Sequence, residues 1–307
     1  MAVADFTLTD EAMALPPGAI ARTHRTILRH GGRPLLGLTQ GRMRPYCYPL
    51  FTPAGYAVTS ESPADHPHHN SLWISADHVL AQVPTKPGHH EAYTYNFYVD
   101  ETFQGRAPGT LIAGSATLEA EFGDRAVLAQ SIEWRGPVEW GAAQGRTIAR
   151  EARRIIVTCV PDALVLDVES VLSAAQWDLE LGPTRHAYFN FRIADSMVVS
   201  MGGTVRDDRG RIGGVGIGDI GARWVAFEGP VGGGAQAGIA AIPDPAEADK
   251  TSWFVADWGV VSVGSFRLAA TRISADAPLR TRLRYVVYDG TATDAAIDAW
   301  ATGFPGS

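Results

Sequence analysis

Three of the nine histidines stand within four residues of one another, in the segment 65–73, which reads Asp-His-Pro-His-His-Asn-Ser-Leu-Trp. Imidazole ionises near neutral pH, so it can transfer protons, and it is also a common metal ligand. In an extended chain His66 and His68 point to one side and His69 to the other, because side chains alternate along a strand. We therefore interpret His66 and His68 as candidate catalytic residues and His69 as a candidate substrate contact.

The same His-x-His spacing is also half of a metal site, which needs one or two ligands from elsewhere in the chain. No cofactor is required by these residues, but a divalent metal, if present, would bind His66 and His68. The further ligands would come from His89, His90, Glu91 or His186. Neutral imidazoles could equally bind sugar hydroxyls or transfer protons.

A second candidate segment, 183–191, reads Pro-Thr-Arg-His-Ala-Tyr-Phe-Asn-Phe. His186 lies where a polar stretch gives way to an aromatic strand, and Tyr188 falls on the same side of an extended chain. We predict that His186 is a general acid or base and that Tyr188 contacts the substrate.

Three further substrate contacts are predicted from residue type. Two adjacent histidines follow Gly88, and since only one of them can face a site, His90 is the candidate. The segment 253–259 offers Trp253 as a platform for a sugar face and Asp257 as a carboxylate base, although simple core packing would also explain a tryptophan.

Arginine side chains precede the histidine segment. Arg44 and Arg42 could clamp a carboxylate or a phosphate through their planar guanidinium groups. Ordinary surface arginines are the alternative, and we take Arg44 as the candidate substrate contact.

A β scaffold is predicted to position these side chains. Apolar and polar residues alternate over short segments, with turn residues about every ten positions, which is typical of antiparallel sheets. The predicted strands are 19–28, 35–38, 110–122, 126–134, 146–160, 164–172, 223–227, 238–242, 259–270 and 279–288. The pair 146–160 and 164–172 is predicted to form a hairpin.

Two segments break this pattern. Three prolines within nine residues exclude a helix and a central strand from 42–55, so we expect an extended segment that leads over the sheet. The glycine-rich stretch 201–221 ends in a G-x-G-x-x-G match, but a strand follows instead of a helix, which argues against a dinucleotide site and favours a surface loop.

One helix is predicted, over 291–301. Thr291 and Asp294 resemble an N-terminal cap followed by a carboxylate three residues later. Ile297 and Trp300 share one face of this helix and are expected to pack on the sheet edge.

The strand pattern, without an internal repeat or a linker, predicts one all-β sandwich domain spanning residues 1–307, with mostly antiparallel strands. The net charge of −7 without a basic tail argues against nucleic acid as a partner. No uninterrupted run of about 18 apolar residues and no basic, apolar leader is visible, so a soluble, cytoplasmic protein is expected. The G-x-S-x-G, P-loop, H-E-x-x-H and C-x-x-C motifs are missing from the sequence, which disfavours serine hydrolases, nucleotide-phosphate enzymes and zinc proteases.

The segment 44–55, followed by the Asp-His-Pro-His-His block, resembles the DUF6807 family, whose members are often labelled methane oxygenase PmoA. The similarity continues through Ser252-Trp253, Trp258-Gly259 and the closing segment 283–290. Asn70 stands where that family usually has arginine.

A second resemblance lies at 184–190, where Thr-Arg-His-Ala-Tyr-Phe-Asn is similar to the T-N-H-x-Y-F-N motif of galactose mutarotases and related aldose epimerases. The resemblance implies a mutarotase-like supersandwich and implies that His186 protonates a sugar ring oxygen. Arg185 replaces the usual asparagine, and no motif in the C-terminal third matches the glutamate base of those enzymes.

Three functional hypotheses follow. The first is a carbohydrate-active enzyme, an isomerase, a lyase, or a glycoside or lactone hydrolase, in which His186 and the cluster 66–69 act on a small sugar-type ligand. The second is a metal-dependent hydrolase, lyase or oxygenase that uses the His-x-His pair. The third is a sugar-binding module without catalysis. The enzymatic hypotheses require that His186 lies beside His66 and His68 in the fold.

Overall fold

The computed structural model describes residues 5–12, 21–139, 141–186, 188–218 and 221–303. Strands dominate these residues and form three sheets, in which nearly all pairs are antiparallel. The strands of the N-terminal third are β1 (Phe6–Ala12), β2 (Ala21–His30), β3 (Arg33–Gly41), β4 (Pro45–Leu50), β5 (Leu72–Ile74), β6 (Val79–Lys86), β7 (His89–Asn96) and β8 (Ala107–Pro108).

The remaining elements complete the sheets. The middle of the chain contains β9 (Thr110–Ala113), β10 (Thr117–Phe122), β11 (Arg125–Arg135), β12 (Thr147–Val160), β13 (Ala163–Ala174), β14 (Leu179–Leu181) and β15 (Phe189–Arg192). The last third contains β16 (Thr204–Asp207), α1 (Gly214–Ile217), β17 (Val225–Gly232), β18 (Ala235–Pro243), β19 (Ser252–Val255), β20 (Val260–Gly264), β21 (Thr271–Ile273), β22 (Leu279–Asp289) and α2 (Asp294–Trp300). Short 3-10 turns cover Asp195–Met197, Val199–Met201 and Ala248–Lys250.

The two larger sheets pack face to face. The first has the order β1-β2-β3-β4-β5-β15-β20-β19, and the second has the order β10-β11-β12-β13-β22-β18-β17-β16, with β9 also paired to β11. Apolar side chains from both sheets form one continuous buried cluster. Across it the rings of Phe191 and Tyr285 meet edge to face at 5.9 Å. The predicted all-β sandwich is confirmed, and the third sheet, β21-β14-β6-β7-β8, contributes to the same core.

The predicted hairpin of β12 and β13 is confirmed, since Ala149 to Val160 pair in register with Ala163 to Ala174. The centre of this sheet is buried on both faces, because the other sheet covers one face and α2 covers the opposite face. Val165 and Ile297 belong to the cluster under the helix. Consecutive apolar residues in β13 and β22 follow from this double burial.

Helix α2 differs in detail from its prediction. The N-cap is Thr293, whose hydroxyl accepts a hydrogen bond from the backbone N–H of Ala296 at 3.2 Å, and not Thr291. The helix lies on the face of the nine-stranded sheet and not on its edge. Ile297 is buried there, and the Trp300 ring lies 5.2 Å from that of Tyr288.

The prediction for the proline-rich segment is wrong, because β4 is an interior strand between β3 and β5. Pro45 stands at the start of β4, and Pro49 falls where the register with β3 shifts, so the missing N–H groups interrupt little pairing. The bulge presses against Gly37, where an added Cβ would lie 2.4 Å from the Tyr48 carbonyl oxygen. Glycine is therefore required at position 37.

Other boundaries differ from expectation. Residues 110–122 form two strands and not one, and β20 ends at Gly264, well before 270. The glycine-rich stretch is not a plain loop, because it contains β16 and α1, although part of it (219–220) lies outside the described residues, as do positions 19 and 20 of the first predicted strand. Strands β6 and β7 were not predicted.

None of the helices within the described ranges has the length and apolarity that crossing a bilayer requires.

Candidate functional site

Four of the predicted histidines line one cavity of about 230 Å³, on the outer face of the eight-stranded sheet. They are His66, His68, His69 and His186. The other lining residues are Tyr98, Val99, Glu101, Phe103, Arg185, Phe254, Trp258 and Val260. The structure thus brings His186 into the same cavity as the three histidines of the segment 66–69, which lie 117 or more residues earlier in the sequence.

Pairing between β5 and β15 explains this convergence. The two strands run antiparallel, with Leu72 opposite Phe191 and Ile74 opposite Phe189. The segment before β5 therefore meets the end of β15, and the segment after β5 meets the start of β15. Because β5 has only three residues, about 10 Å of strand separates the two junctions, and loops from both ends reach over the same patch of sheet.

An aromatic layer forms the floor of the cavity. Leu72 and Ile74 face the core between the sheets, so Trp73 faces the opposite side. There it packs in a separate buried cluster with Tyr46, Tyr98 and Val260. Tyr98 arrives from the loop that follows β7, and this loop closes one wall of the cavity.

Asp77 and His186 form a buried carboxylate–imidazole pair. The carboxylate oxygen Oδ2 lies 2.8 Å from His186 Nδ1, and Asp77 is only 1% exposed. Burial alone would raise the pKa of Asp77, but hydrogen bonds from His186 and Thr184 and the charge of Arg106 hold this pKa below its usual value. Asp77 is therefore an ionised acceptor, which places a proton on His186 Nδ1.

The second ring nitrogen of His186 is consequently the acceptor of the neutral ring. Arg185 donates its Nε–H to His186 Nε2 at 3.2 Å. The ring itself stacks on Tyr98, with centroids 4.4 Å apart. Since the arginine is exposed, a substrate group can take its place at Nε2.

His68 is a neutral ring inside the site. Burial, and then the positive charges of Arg44 and His66, lower the pKa of His68 to about 4. At neutral pH the ring therefore carries one N–H donor and one acceptor nitrogen. It meets His69 edge to face at 4.5 Å and Tyr98 at 5.6 Å.

His69 lies deeper than its neighbours and is 3% exposed. Burial is the main reason why its pKa lies far below the ordinary value. Its Nε2 lies 3.0 Å from the hydroxyl of Tyr98, whose own pKa burial raises. The other ring nitrogen, Nδ1, is a buried atom for which the described residues provide no hydrogen-bond partner.

Acid is expected to destabilise the protein through His68. In the unfolded chain this ring takes a proton near pH 6.5, whereas in the fold it resists protonation down to about pH 4. The unfolded state therefore binds more protons below pH 6.5, and stability is lost as the pH falls through that window. Between pH 7 and 5 we expect His68 to account for about 1 kcal/mol, after allowing for its partial exposure.

Urea unfolding at pH 7 and pH 5 measures this effect. His68→Gln should lose less stability over this interval than the wild type, while His90→Gln, a change at an exposed strand position, should lose as much as the wild type. An equal loss in His68→Gln and wild type would contradict the assignment.

Arg44 does not line the cavity, contrary to its predicted role as a substrate contact. The side chain is fully buried beneath the site, and its guanidinium donates to the carbonyl oxygens of Phe97 at 3.2 Å, of Tyr98 at 2.7 Å and of His68. Burial lowers its pKa to about 10, so the group stays charged at neutral pH. Arg44 therefore holds the two segments that carry His68 and Tyr98 against each other.

Two other predicted contacts, Tyr188 and Asp257, point into the core and into a loop, respectively. Tyr188 is 1% exposed and shares a hydrogen bond with Ser170 at 2.8 Å. The alternation that placed it beside His186 does not apply, because β15 begins only at Phe189. Asp257 accepts from the backbone N–H of Gly214 at 2.7 Å, which fixes the start of α1.

Trp253 was predicted to contact the substrate, but it faces the core because side chains alternate along β19. This ring is 1% exposed, belongs to the core and donates to the carbonyl oxygen of Ala222 at 3.1 Å. The next residue, Phe254, faces the cavity instead, as does Trp258 after the strand. His90 is also away from the site, exposed on β7 and opposite Pro84.

Asp77, Tyr98 and Arg185 were not among the site residues predicted from the sequence. Asp77 stands three residues after Ile74, the end of β5. A carboxylate just beyond a short apolar strand could have marked it as a candidate site residue. Tyr98 carries no comparable signal in the sequence. It lies in the loop after β7, and β7 itself was not predicted.

Metal binding was the alternative for the histidine cluster. Among the residues that the structure describes, no group of three or more His, Cys, Asp or Glu side chains is placed to hold a metal ion.

A larger cavity, of about 630 Å³, lies elsewhere, between β21, the start of β22 and the turn Ala248–Lys250. Its ionisable lining residues are Glu247, Lys250, Arg272 and Arg280. Burial raises the pKa of Glu247, but its carboxylate is bound by the Thr281 hydroxyl at 2.8 Å. We assign the functional site to the smaller cavity, because imidazoles and a supporting carboxylate converge there.

Comparison with known proteins places the chain in a family. A profile described as "Family of unknown function (DUF6807)" matches residues 25–302. The chain belongs to the DUF6807 family. No curated protein matches the sequence. The DUF6807 match spans β3 to α2 and includes all residues that line the cavity.

Several solved structures align with this DUF6807 chain. A "putative mutarotase (YeaD)" from Salmonella typhimurium is 11% identical, with a TM-score of 0.32, covering 90% of this chain and 96% of that chain. A "putative aldose 1-epimerase (b2544)" from Escherichia coli K12 is 8% identical, with a TM-score of 0.31, covering 94% and 100%. A TPR-domain containing protein from Parabacteroides distasonis is 10% identical, with a TM-score of 0.35, covering 100% and 58%.

Proposed function

We propose that this DUF6807 protein is an enzyme that transfers protons to and from a small carbohydrate-type substrate, with His186 as the group that exchanges the proton. The Asp77–His186 pair at the edge of the histidine-lined cavity is the observation that carries the proposal. A buried carboxylate beside an imidazole is costly to maintain for packing alone, and it has a direct use in acid–base chemistry.

The pair works as an oriented base. Asp77 accepts the Nδ1 proton, so Nε2 offers its lone pair to a substrate hydroxyl or C–H group. When Nε2 gains the proton, the ionised Asp77 stabilises the resulting imidazolium. The same ring then acts as the acid that returns the proton. Asp77 therefore positions and stabilises His186 without taking the proton itself.

The cavity walls favour a small polyhydroxylated ligand. The aromatic rings of Phe103, Phe254 and Trp258 provide apolar surfaces on which the C–H face of a sugar can lie. Neutral His68 offers both a donor and an acceptor for hydroxyl groups. A volume of about 230 Å³ is below the range of sites for drug-sized ligands and suits a compound of monosaccharide size.

The charges in the cavity fit a neutral ligand better than a strongly charged one. Arg185 and Glu101 contribute one charge of each sign to the lining. An anionic sugar phosphate would be expected to meet several basic groups, and the lining contains a single arginine and no lysine among the described residues.

A substrate panel tests the proposal. Purified protein is incubated with free aldoses and ketoses, their lactones and simple glycosides, and each reaction is followed by proton NMR. We expect turnover of at least one of these classes, by the wild type and by the His90→Gln variant alike. Calorimetric binding of a sugar without turnover would instead indicate a non-catalytic module, and neither binding nor turnover across the panel would also contradict the proposal.

A further inference from the structure

His66, like His186, directs a ring nitrogen at a carboxylate, at the opposite end of β5, although the Asp65–His66 pair is more exposed than the Asp77–His186 pair. Its Nδ1 lies 2.9 Å from Oδ2 of Asp65, and the ring lines the cavity. The ring stacks on Trp258, with centroids 4.5 Å apart and planes within 5° of parallel. The imidazole plane is thus fixed on one side by an aromatic ring and at one nitrogen by a carboxylate.

Asp65 is itself fixed by Arg192. The guanidinium donates to both carboxylate oxygens, from Nη1 to Oδ2 at 3.0 Å and from Nη2 to Oδ1 at 2.9 Å. The Arg192 side chain is 4% exposed and lies over the ring of Trp258 at 5.1 Å. Although partial burial raises the pKa of Asp65, the hydrogen bonds from His66 and Arg192 bring it below the usual value.

The two imidazole–carboxylate pairs face the same cavity from opposite ends of one strand pairing. Asp65 and His66 precede β5, and Asp77 follows it. His186 precedes β15, and Arg192 ends it. In both pairs Nδ1 is directed at the carboxylate, which leaves Nε2 as the nitrogen that can exchange a proton with a ligand.

Neutral His68 lies between the two pairs. Its ring is 5.7 Å from that of His66, and His68 and His186 both pack against the ring of Tyr98. The groups around His66 are therefore Asp65, Arg192, His68 and His69, with Trp258 as the stacking surface.

We propose that Asp65 and His66 form the second proton-exchanging pair of the site, and that the enzyme is an isomerase of hydroxy-carbonyl sugars. The inference rests on the proposed function and deepens it. Two oriented imidazoles supply the acid and the base that an isomerisation needs, and this reaction requires no co-reactant and leaves the composition of the substrate unchanged.

Nε2 of one imidazole removes the proton from the carbon next to the carbonyl, and the electron pair of that C–H bond forms the C=C bond of an enediol. The carbonyl π bond breaks, and its oxygen takes the proton that the other imidazole carried on Nε2. The protonated imidazole then returns its proton to one of the two carbons of the C=C bond, whose π electrons form the new C–H bond. The other imidazole takes the O–H proton of the enediol as the C=O bond forms, which gives either the isomer or the epimer.

His66→Gln and His186→Gln test the inference with hydroxy-carbonyl sugars in D2O, followed by proton NMR. The wild type should interconvert one such sugar and place solvent deuterium on the carbon next to the carbonyl. Each variant should lower turnover by about a hundred-fold or more. Each should also remove one limb of the pH–rate profile, and added imidazole should restore part of the activity of His66→Ala.

The possible failures are distinguishable. If His186→Gln is inactive but His66→Gln keeps wild-type turnover and both limbs of the pH–rate profile, the role of the Asp65–His66 pair is refuted and the proposed function stands. Hydrolysis or cleavage of the substrate in place of isomerisation refutes the isomerase assignment alone. Unchanged activity in His186→Gln refutes the proposed function. Thermal unfolding of each variant, with His90→Gln as the control, shows whether it folds.

Discussion

His186→Gln is expected to lower kcat by about a hundred- to ten-thousand-fold, the usual contribution of a positioned proton-transfer group. Glutamine is close in length to histidine and can still donate an amide N–H to Asp77, so the cavity should keep its shape. The amide cannot take up or release a proton near neutral pH. The variant should therefore fail in the chemical step and not in folding.

The measurement is the steady-state rate on the substrate that the wild type turns over, at several substrate concentrations. We expect kcat to fall while KM changes by less than about ten-fold, since removal of proton transfer affects the transition state more than the ground state. His90→Gln, a change of the same kind outside the cavity, should keep wild-type rates. A folded His186→Gln variant with at least a tenth of the wild-type kcat would show that another group transfers the proton.

Arg44→Leu is expected to lower the free energy of unfolding by about 3 kcal/mol. The guanidinium satisfies the carbonyl oxygens of Phe97, Tyr98 and His68, and a buried acceptor left without a donor costs about 1 to 3 kcal/mol. Removal of the buried charge offsets part of this cost. The expected loss of stability is therefore smaller than the sum of the costs for the three carbonyl oxygens.

Arg42→Leu provides a matched control two residues away. The Arg42 side chain is 69% exposed and pairs with Asp100 at the surface, and such pairs contribute at most about 1 kcal/mol. Urea unfolding of both variants and the wild type gives the comparison. If Arg44→Leu is as stable as Arg42→Leu, the carbonyl interactions of Arg44 do not hold the loops that carry the site.

The sequence predicted the strands whose side chains alternate or are uniformly apolar. β12, β13 and β22 were found because long apolar stretches end at clear turn residues. β6 and β7 were missed because the ends of both strands are exposed and polar, with Pro84 in one strand and two histidines in the other. β4 was excluded for its prolines, since nothing in the sequence reveals that a bulge opposite Gly37 accommodates Pro49.

The histidines of the candidate site were predicted from the sequence, but the residues that orient them were not. His66, His68, His69 and His186 stand out in the sequence, because clustered imidazoles are rare and lie next to apolar strands. Asp77 does not, because its role depends on which strand lies beside β5. That pairing brings His186 to Asp77, and no local pattern encodes it. Trp253 was chosen over Trp258 for the same reason, since the burial of each face depends on the neighbouring strands.

The protonation of the two ring nitrogens of His186 can be measured without any knowledge of the substrate. Two-bond proton–nitrogen NMR spectra of protein labelled with 15N-histidine report which ring nitrogen carries the proton, and His186→Gln identifies the signal. At a pH where the ring is neutral, we predict a protonated Nδ1 and an unprotonated Nε2, and we predict that Asp77→Asn disturbs this state. A proton on Nε2, or a signal that Asp77→Asn leaves unchanged, would contradict the assignment of Asp77 and His186 as the proton-exchanging pair.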